Sequence, residues 1–310
     1  MTNQKNNDLL LEVEELSVAF RMYDAAFEQQ ELQVISDLSI QVRRGEILAI
    51  AGSSGSGKSL LAHAVLGLLP ENAIVTGRMA YDGELLTPER QEQLRGSQIA
   101  LVPQSVAYLD PLMRVGEQVR GPHGKASAQR AAFERYGLGP EVDKLYPFQL
   151  SGGMARRVLV STAVVADAQL IIADEPTPGL DLGIALETLK HFREFADQGK
   201  GVVLITHDID LAFNIADRIA VFYAGTTVEV ANASDFSGKG EALRHPYTKA
   251  LFHALPQNGF HPIEGFQPYP KNLPPGCLFG PRCPHKGLQC EEKVFMREVR
   301  GGSVRCNRGA

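Results

Sequence analysis

The residues with the clearest chemistry in this chain are "GSSGSGKS", running from Gly52 to Ser59. The spacing fits G-x-x-x-x-G-K-[ST], the P-loop or Walker A pattern. Gly52, Gly55 and Gly57 let the backbone curl, so that its N–H groups converge on phosphate oxygens, with Ser53 and Ser56 between them. Lys58 then reaches the β- and γ-phosphates of a nucleotide, and the Ser59 hydroxyl is placed to bind Mg²⁺. Further on, "LIIADE" ends an apolar run in two carboxylates. Asp174 is placed as a metal ligand, and Glu175 as the group that orients and activates an attacking water. "LSGGMARRV" (Leu150–Val158) sets Ser151 and the amides of Gly152 and Gly153 at the start of a helix, a second anion site. The plainer readings are a flexible Gly/Ser turn for the first stretch and a solvated acidic pair for the second.

Elements of the right type flank these residues. "EILAIA" reads as a buried strand feeding the P-loop, and "KSLLAHAVLGLLP" as the helix leaving it, stopped by its proline. "LLLEVEELSVAF" alternates like a half-buried strand, "LSIQV" follows as another, and "VTGRMAYDGELL" reads as strand, turn and strand. "QIALVPQ" is a further short strand. Between about residues 110 and 165 the pattern turns helical, in "ASAQRAAFERYGL" and "GGMARRVLVSTAVVA". From residue 169 strands alternate with helices: "QLIIADEP", "GIALETLKHFREFADQ", "GVVLITHD", then "DLAFNIADRIAVFYAG". Apolar strands alternating with helices imply an α/β fold with a parallel sheet covered on both faces.

With 310 residues, 44% hydrophobic and 22% charged, the chain is long enough to bury a real core. Its net charge of −5 disfavours nucleic acid as a partner, although a local basic patch stays open. "MTNQKNNDLLLEVEELSVAF" lacks the pattern of a secretory signal. The longest apolar candidate, "VLVSTAVVADAQLIIADEP", is broken by Asp167, Gln169, Asp174 and Glu175, so no membrane span is expected. A membrane role would then come through a partner. His63, His123, His191, His245, His253 and His261 read as surface or packing residues.

The order of motifs resembles that of ATP-binding-cassette ATPases, with "LSGG" placed as their signature between the P-loop and the Walker B strand. The resemblance covers roughly residues 9 to 232. It implies a P-loop NTPase fold of the ABC type: a RecA-like core, an antiparallel β subdomain, and an inserted helical subdomain at about 105–165. It also implies ATP and Mg²⁺ as cofactors. Ser151, Gly152 and Gly153 would face the γ-phosphate held by a partner cassette. Gln104 in "LVPQ" resembles the Q-loop residue that contacts Mg²⁺ or water, and "PGLD" resembles the D-loop ending in Asp181. His207 in "LITHD" resembles the switch histidine at the γ-phosphate. Phe20 matches the aromatic that stacks on adenine, with Tyr23 as its rival. The helical stretch between "GEQV" and "LSGG" is shorter than the family pattern, and "MARR" departs from the usual residues after the signature.

After about residue 233 the composition shifts. "HPYTKALFHALP" followed by "LPPGCLFGPRCPHKGLQC…VRC" resembles the C-terminal extension of ATPases of the oligopeptide, dipeptide and nickel import family. The domains are therefore read as a cassette at 1–233 and an extension at 234–310. The methionine after "LSGG" is more like the first of the two paired ATPases in such systems. The resemblance implies a second, non-identical ATPase subunit, two transmembrane permease subunits and an extracytoplasmic substrate-binding protein. The chain would then sit peripherally on the cytoplasmic face of the membrane.

All four cysteines lie in this tail, as C-x5-C-x6-C-x15-C. A disulfide pair is disfavoured in a reducing compartment. Zinc on four thiolates, with His285 as a substitute ligand, has gaps longer than the usual knuckles. A [4Fe–4S] cluster on Cys277, Cys283, Cys290 and Cys306 needs four thiolates, and the resemblance favours it. Buried unligated thiols are the remaining reading. Because the Pro/Gly-rich tail shows little periodicity, a metal is expected to supply its folding energy. The leading function is a transport ATPase. A soluble cassette ATPase acting in DNA repair or translation is the alternative, and a metal-sensing regulator with a vestigial P-loop is a third.

Overall fold

The computed structural model describes residues 8–23, 27–121 and 124–308. His123 and the opening "MTNQKNN" lie outside them. The strands and helices follow in chain order. First come β1 (Leu9–Tyr23), β2 (Gln29–Arg43), β3 (Ile47–Gly52), α1 (Lys58–Leu66), β4 (Ala73–Tyr81) and β5 (Glu84–Leu85). Then come α2 (Pro88–Leu94), β6 (Ile99–Val102), α3 (Val115–Arg120), α4 (Ala126–Arg135), α5 (Gly152–Val165), β7 (Leu170–Asp174), α6 (Leu182–Asp197) and β8 (Gly201–Ile205). Last are α7 (Ile209–Ile215), β9 (Arg218–Tyr223), β10 (Thr226–Asn232), α8 (Pro246–His253), β11 (Arg297–Val299) and β12 (Gly302–Val304). They fold into two compact units. One comprises Met1–Gln41, Leu48–Leu86 and His207–Ala310, and the other Val42–Ile47 and Thr87–Thr206. The change of composition near residue 233 falls inside the first unit.

The first unit holds an antiparallel ladder ordered β2-β1-β4-β5. β1 meets β4 from Leu11↔Tyr81 to Phe20↔Ala73, with a bulge between Glu14 and Ser17. Leu11 and Val13 point inward and Glu14 outward, so the alternation in the sequence is the burial pattern of the strand. A second array in this unit runs β11-β12-β10-β9-β3. β3 and β9 are parallel, from Leu48↔Arg218 to Gly52↔Phe222. All six residues of β3 are buried, as expected for a strand covered on both faces. α1 ends at Gly67 (φ 64°), whose N–H caps the carbonyls of His63 and Ala64. The left-handed glycine, rather than Pro70, therefore stops this helix.

In the second unit β6, β7 and β8 form a parallel array with β7 in the middle. Its helical part has a core of its own: Val115 and Val119 of α3, Phe133 of α4, and Ala155, Val158 and Leu159 of α5. No helix among the described residues is long and apolar enough to cross a membrane.

The tail corrects an expectation. It does hold itself by apolar burial, because its few large side chains enter the first unit's core. Phe279 is 1% exposed, with its ring centroid 5.3 Å from those of both Tyr223 and Tyr247. β12 extends the array by pairing with β10, Glu229↔Val304 and Val230↔Ser303. A buried ionic knot fastens it. The Glu229 carboxylate accepts from the backbone N–H groups of Arg244 and His245 at 2.9 and 2.7 Å. The Arg244 guanidinium pairs with Glu229 (3.3 Å) and Asp235 (2.8 Å), and donates to the carbonyls of Val299 and Arg300. Such a knot is costly to break singly, since the partner left behind stays charged and dry.

Candidate functional site

The P-loop belongs to the first unit, between β3 and α1. The apolar strand delivers it rigidly. A Cβ on Gly52 would lie 2.4 Å from the Phe222 carbonyl oxygen of the neighbouring strand, so only glycine lets the loop leave β3 this close to β9. Gly57 sits at φ 91° as the N-cap of α1, a conformation that favours glycine. The N–H groups of the first turn of α1 have no helical acceptors of their own and carry the positive end of its dipole. Lys58 is buried, and its Nζ donates to the carbonyls of Gly52 and Ser53, both at 2.9 Å. The cation is thus held against the loop's own backbone. Ser59 is half-buried and Gly55 exposed. The Ser56 hydroxyl is fully buried and finds no hydrogen-bond partner among the described residues.

The carboxylates belong to the second unit. Asp174 closes β7 at 3% exposure, and Glu175 follows at 8%. Glu175 has φ 51°, a left-handed conformation that a non-glycine residue adopts only when its surroundings enforce it. The bond from its N–H to the Ile205 carbonyl (2.9 Å) is one such constraint. Strain of this kind concentrates at working sites because it fixes where a side chain points.

Sequence reasoning missed Arg156, treating the "MARR" stretch only as a departure from a pattern. It is 6% exposed on the inward face of α5, and its Nη1 donates to the Pro103 carbonyl at 2.7 Å, directly before Gln104. Burial lowers its pKa, and the nearby Asp174 and Glu175 carboxylates oppose that shift. One guanidinium thus braces the Gln104 loop and supplies positive potential to the acidic pair. The available signal was periodicity: Arg156 lies beside Ala155 on the buried stripe that continues through Leu159.

The remaining predicted residues are placed as follows. Ser151 is the N-cap of α5, its hydroxyl accepting from the Met154 N–H at 3.2 Å, with Gly152 and Gly153 in the first turn. Asp181 caps α6, accepting from the Ile184 N–H at 3.0 Å. Gln104 and His207 are exposed just beyond β6 and β8. Phe20 is half-buried in β1, whereas Tyr23 at the end of that strand is 71% exposed. Of the other histidines, His191 packs against Tyr136 and is pushed down to about 4 by burial. His245 is buried and neutral, with its Nδ1 capping α8.

The four cysteines are free thiols. Among the described residues, no group of three or more His, Cys, Asp or Glu side chains is placed to hold a metal ion. The expected iron–sulfur or zinc ligand set on Cys277, Cys283, Cys290 and Cys306 is therefore not formed by these positions. The Cys277 N–H donates to the Cys290 carbonyl at 2.8 Å, and Cys290 itself is 8% exposed. Burial raises the pKa of Cys277 and of Cys283, and Cys290 and Cys306 add to each rise.

The chain is similar to known proteins along most of its length. A family profile described as ABC transporter matches residues 35–178, and one described as oligopeptide/dipeptide transporter, C-terminal region, matches residues 228–290. The chain is 34% identical to the oligopeptide transport ATP-binding protein OppD of Escherichia coli K12, covering 97% of this chain and 94% of that protein. It is 32% identical to the dipeptide transport ATP-binding protein DppD of Bacillus subtilis 168, covering 96% and 93%. Among solved structures, the dimeric post-hydrolysis state of the ATP-binding cassette MJ0796 with ADP and Pi shares the fold, with TM-score 0.64, 23% identity, and coverage of 72% of this chain and 99% of that one. With the P-loop, the acidic strand end, the capped signature helix and the tail all in place, the chain belongs to the ATP-binding subunits of the oligopeptide/dipeptide ABC transporter family.

Proposed function

We propose that this ATPase energises import of oligopeptides or dipeptides, or of a related solute such as nickel or a metal chelate. The match of the tail to the oligopeptide/dipeptide C-terminal region carries that reading, and favours it over a soluble ATPase of DNA repair or translation. We read the domains as a cassette at 1–233 followed by the extension at 234–310. The subunit would work on the cytoplasmic face of the membrane, paired with a second, non-identical ATPase. Two transmembrane permease subunits and an extracytoplasmic binding protein complete the assembly.

In this reading the loop amides and Lys58 hold the β- and γ-phosphates. Ser59, Gln104 and Asp174 offer the hard oxygen donors that Mg²⁺ takes, and the ion when bound would neutralise phosphate charge. Glu175 takes the proton of the attacking water, and His207 contacts the γ-phosphate. Phe20 stacks on adenine. Ser151, Gly152 and Gly153 face the nucleotide of the partner cassette, and Asp181 lies in the loop between the two. ATP binding closes the pair and hydrolysis reopens it, which drives alternating access in the permease. Deleting the chain from its source cell is expected to abolish uptake of a labelled peptide, and the subunit should co-purify with permease and binding protein. Uptake of peptides and of nickel at wild-type rates would overturn the transport reading.

The finer reading of the tail is a [4Fe–4S] cluster, with Zn²⁺ as the alternative. Four thiols are the right donors, but their present positions are not a ligand set, so no step is routed through a metal. Anaerobically purified protein is expected to show broad absorbance near roughly 400 nm and iron that is lost on Cys→Ser substitution. Colourless, iron-free protein rules the cluster out.

A further inference from the structure

Ser53, the second residue of the P-loop, is held from the C-terminal segment of the same unit. Its hydroxyl donates to Gln267 Oε1 at 2.6 Å, across 214 residues of sequence. The segment that carries Gln267 is fixed to an aromatic platform. Tyr247 is 2% exposed on α8, its ring centroid 4.5 Å from Tyr223 and 5.3 Å from Phe279. Arg282 donates to the Tyr223 hydroxyl at 3.3 Å and fixes the segment before Gln267 through the carbonyls of Ile263 (3.0 Å) and Glu264 (2.7 Å). Ser53 in turn passes the constraint on, since its carbonyl is one of the two that hold Lys58 Nζ.

We propose that Gln267 is a positioning residue of the ATPase: by pinning Ser53 it pre-sets the P-loop and Lys58 for the nucleotide phosphates. A loop with three glycines has much backbone freedom to lose when it closes on phosphate. Freedom removed during folding is not lost again on binding. The pin therefore tightens ATP binding without touching the reacting atoms. The proposal rests on the nucleotide reading of the P-loop.

The test uses the full chain and a fluorescent ATP analogue. Gln267→Met, which removes the acceptor and keeps the length, should weaken binding by about 3- to 10-fold, the equivalent of one net hydrogen bond. In hydrolysis the KM for ATP should rise by a similar factor while kcat stays within about twofold. Ser53→Ala should weaken binding to the same degree, and adding Gln267→Met to it should cause no further loss. A purely structural role would lower the melting temperature and leave the ATP affinity of the folded protein unchanged, which overturns the proposal. So would additive effects of Ser53→Ala and Gln267→Met, or a fall in kcat at constant KM. Lys58→Ala serves as the control. If it binds ATP normally, the P-loop reading itself fails; if it alone loses binding, only the positioning role does.

Discussion

Glu175→Gln is expected to lower steady-state ATP hydrolysis by about 10²- to 10⁴-fold, the usual contribution of a positioned general base. The amide keeps the volume and one acceptor oxygen but cannot take the water's proton. The position itself should survive the change. Glu175 is held in a left-handed backbone conformation by its N–H bond to Ile205 and is nearly buried beside Arg156. Nucleotide affinity depends on a different set of groups and should stay within about twofold. With hydrolysis blocked, ATP should hold two cassettes together, visible as an ATP-dependent increase in mass by size-exclusion chromatography with light scattering. Persistent turnover in the variant removes Glu175 as the base and returns it to the role of a buried acidic neighbour of Arg156.

Lys58→Ala should act on the other side of that division. The Lys58 ammonium is already desolvated and held by two carbonyl oxygens, so it meets phosphate at little extra cost of ordering. Hydrogen bonds to charged groups contribute about 1.5–3 kcal/mol each. Loss of the lysine should therefore weaken ATP binding by roughly 10- to 100-fold. The reading to take is calorimetric or fluorescence affinity, together with a melting curve to show that the variant is folded. Unchanged affinity would undermine the assignment of the P-loop, and with it the pinning of Ser53 by Gln267 as a functional device. Together the two variants separate binding from chemistry, since the first should bind and not turn over and the second should fail at binding.

Much of this site was legible in the linear chain because it is made of local hydrogen-bond rules. A glycine-rich turn between an apolar strand and a helix N-terminus can form a phosphate cradle from local backbone geometry alone. Ser151 and Asp181 occupy helix N-caps because their short side chains reach the N–H of the third helical residue, and that too is a local rule. Asp174 and Glu175 follow from an apolar strand that must end where its carboxylates begin. What tertiary packing alone decided lies in contacts between residues far apart in sequence. Arg156 faces the acidic pair only once α5 packs against β6, and Arg244 acquires a meaning only when β10 brings Glu229 to it. The tail looked too poor in apolar residues to fold without a metal. In place, Phe279 is buried in a core that the cassette half of the chain had already begun, and Val294 and Val304 are buried too. A sequence states which groups can donate, accept or avoid water, and settles their partners within a turn or two. Which distant acceptor meets which donor, as Gln267 meets Ser53, is set by the packing of whole elements, whose energy is spread over many side chains and has no local signature.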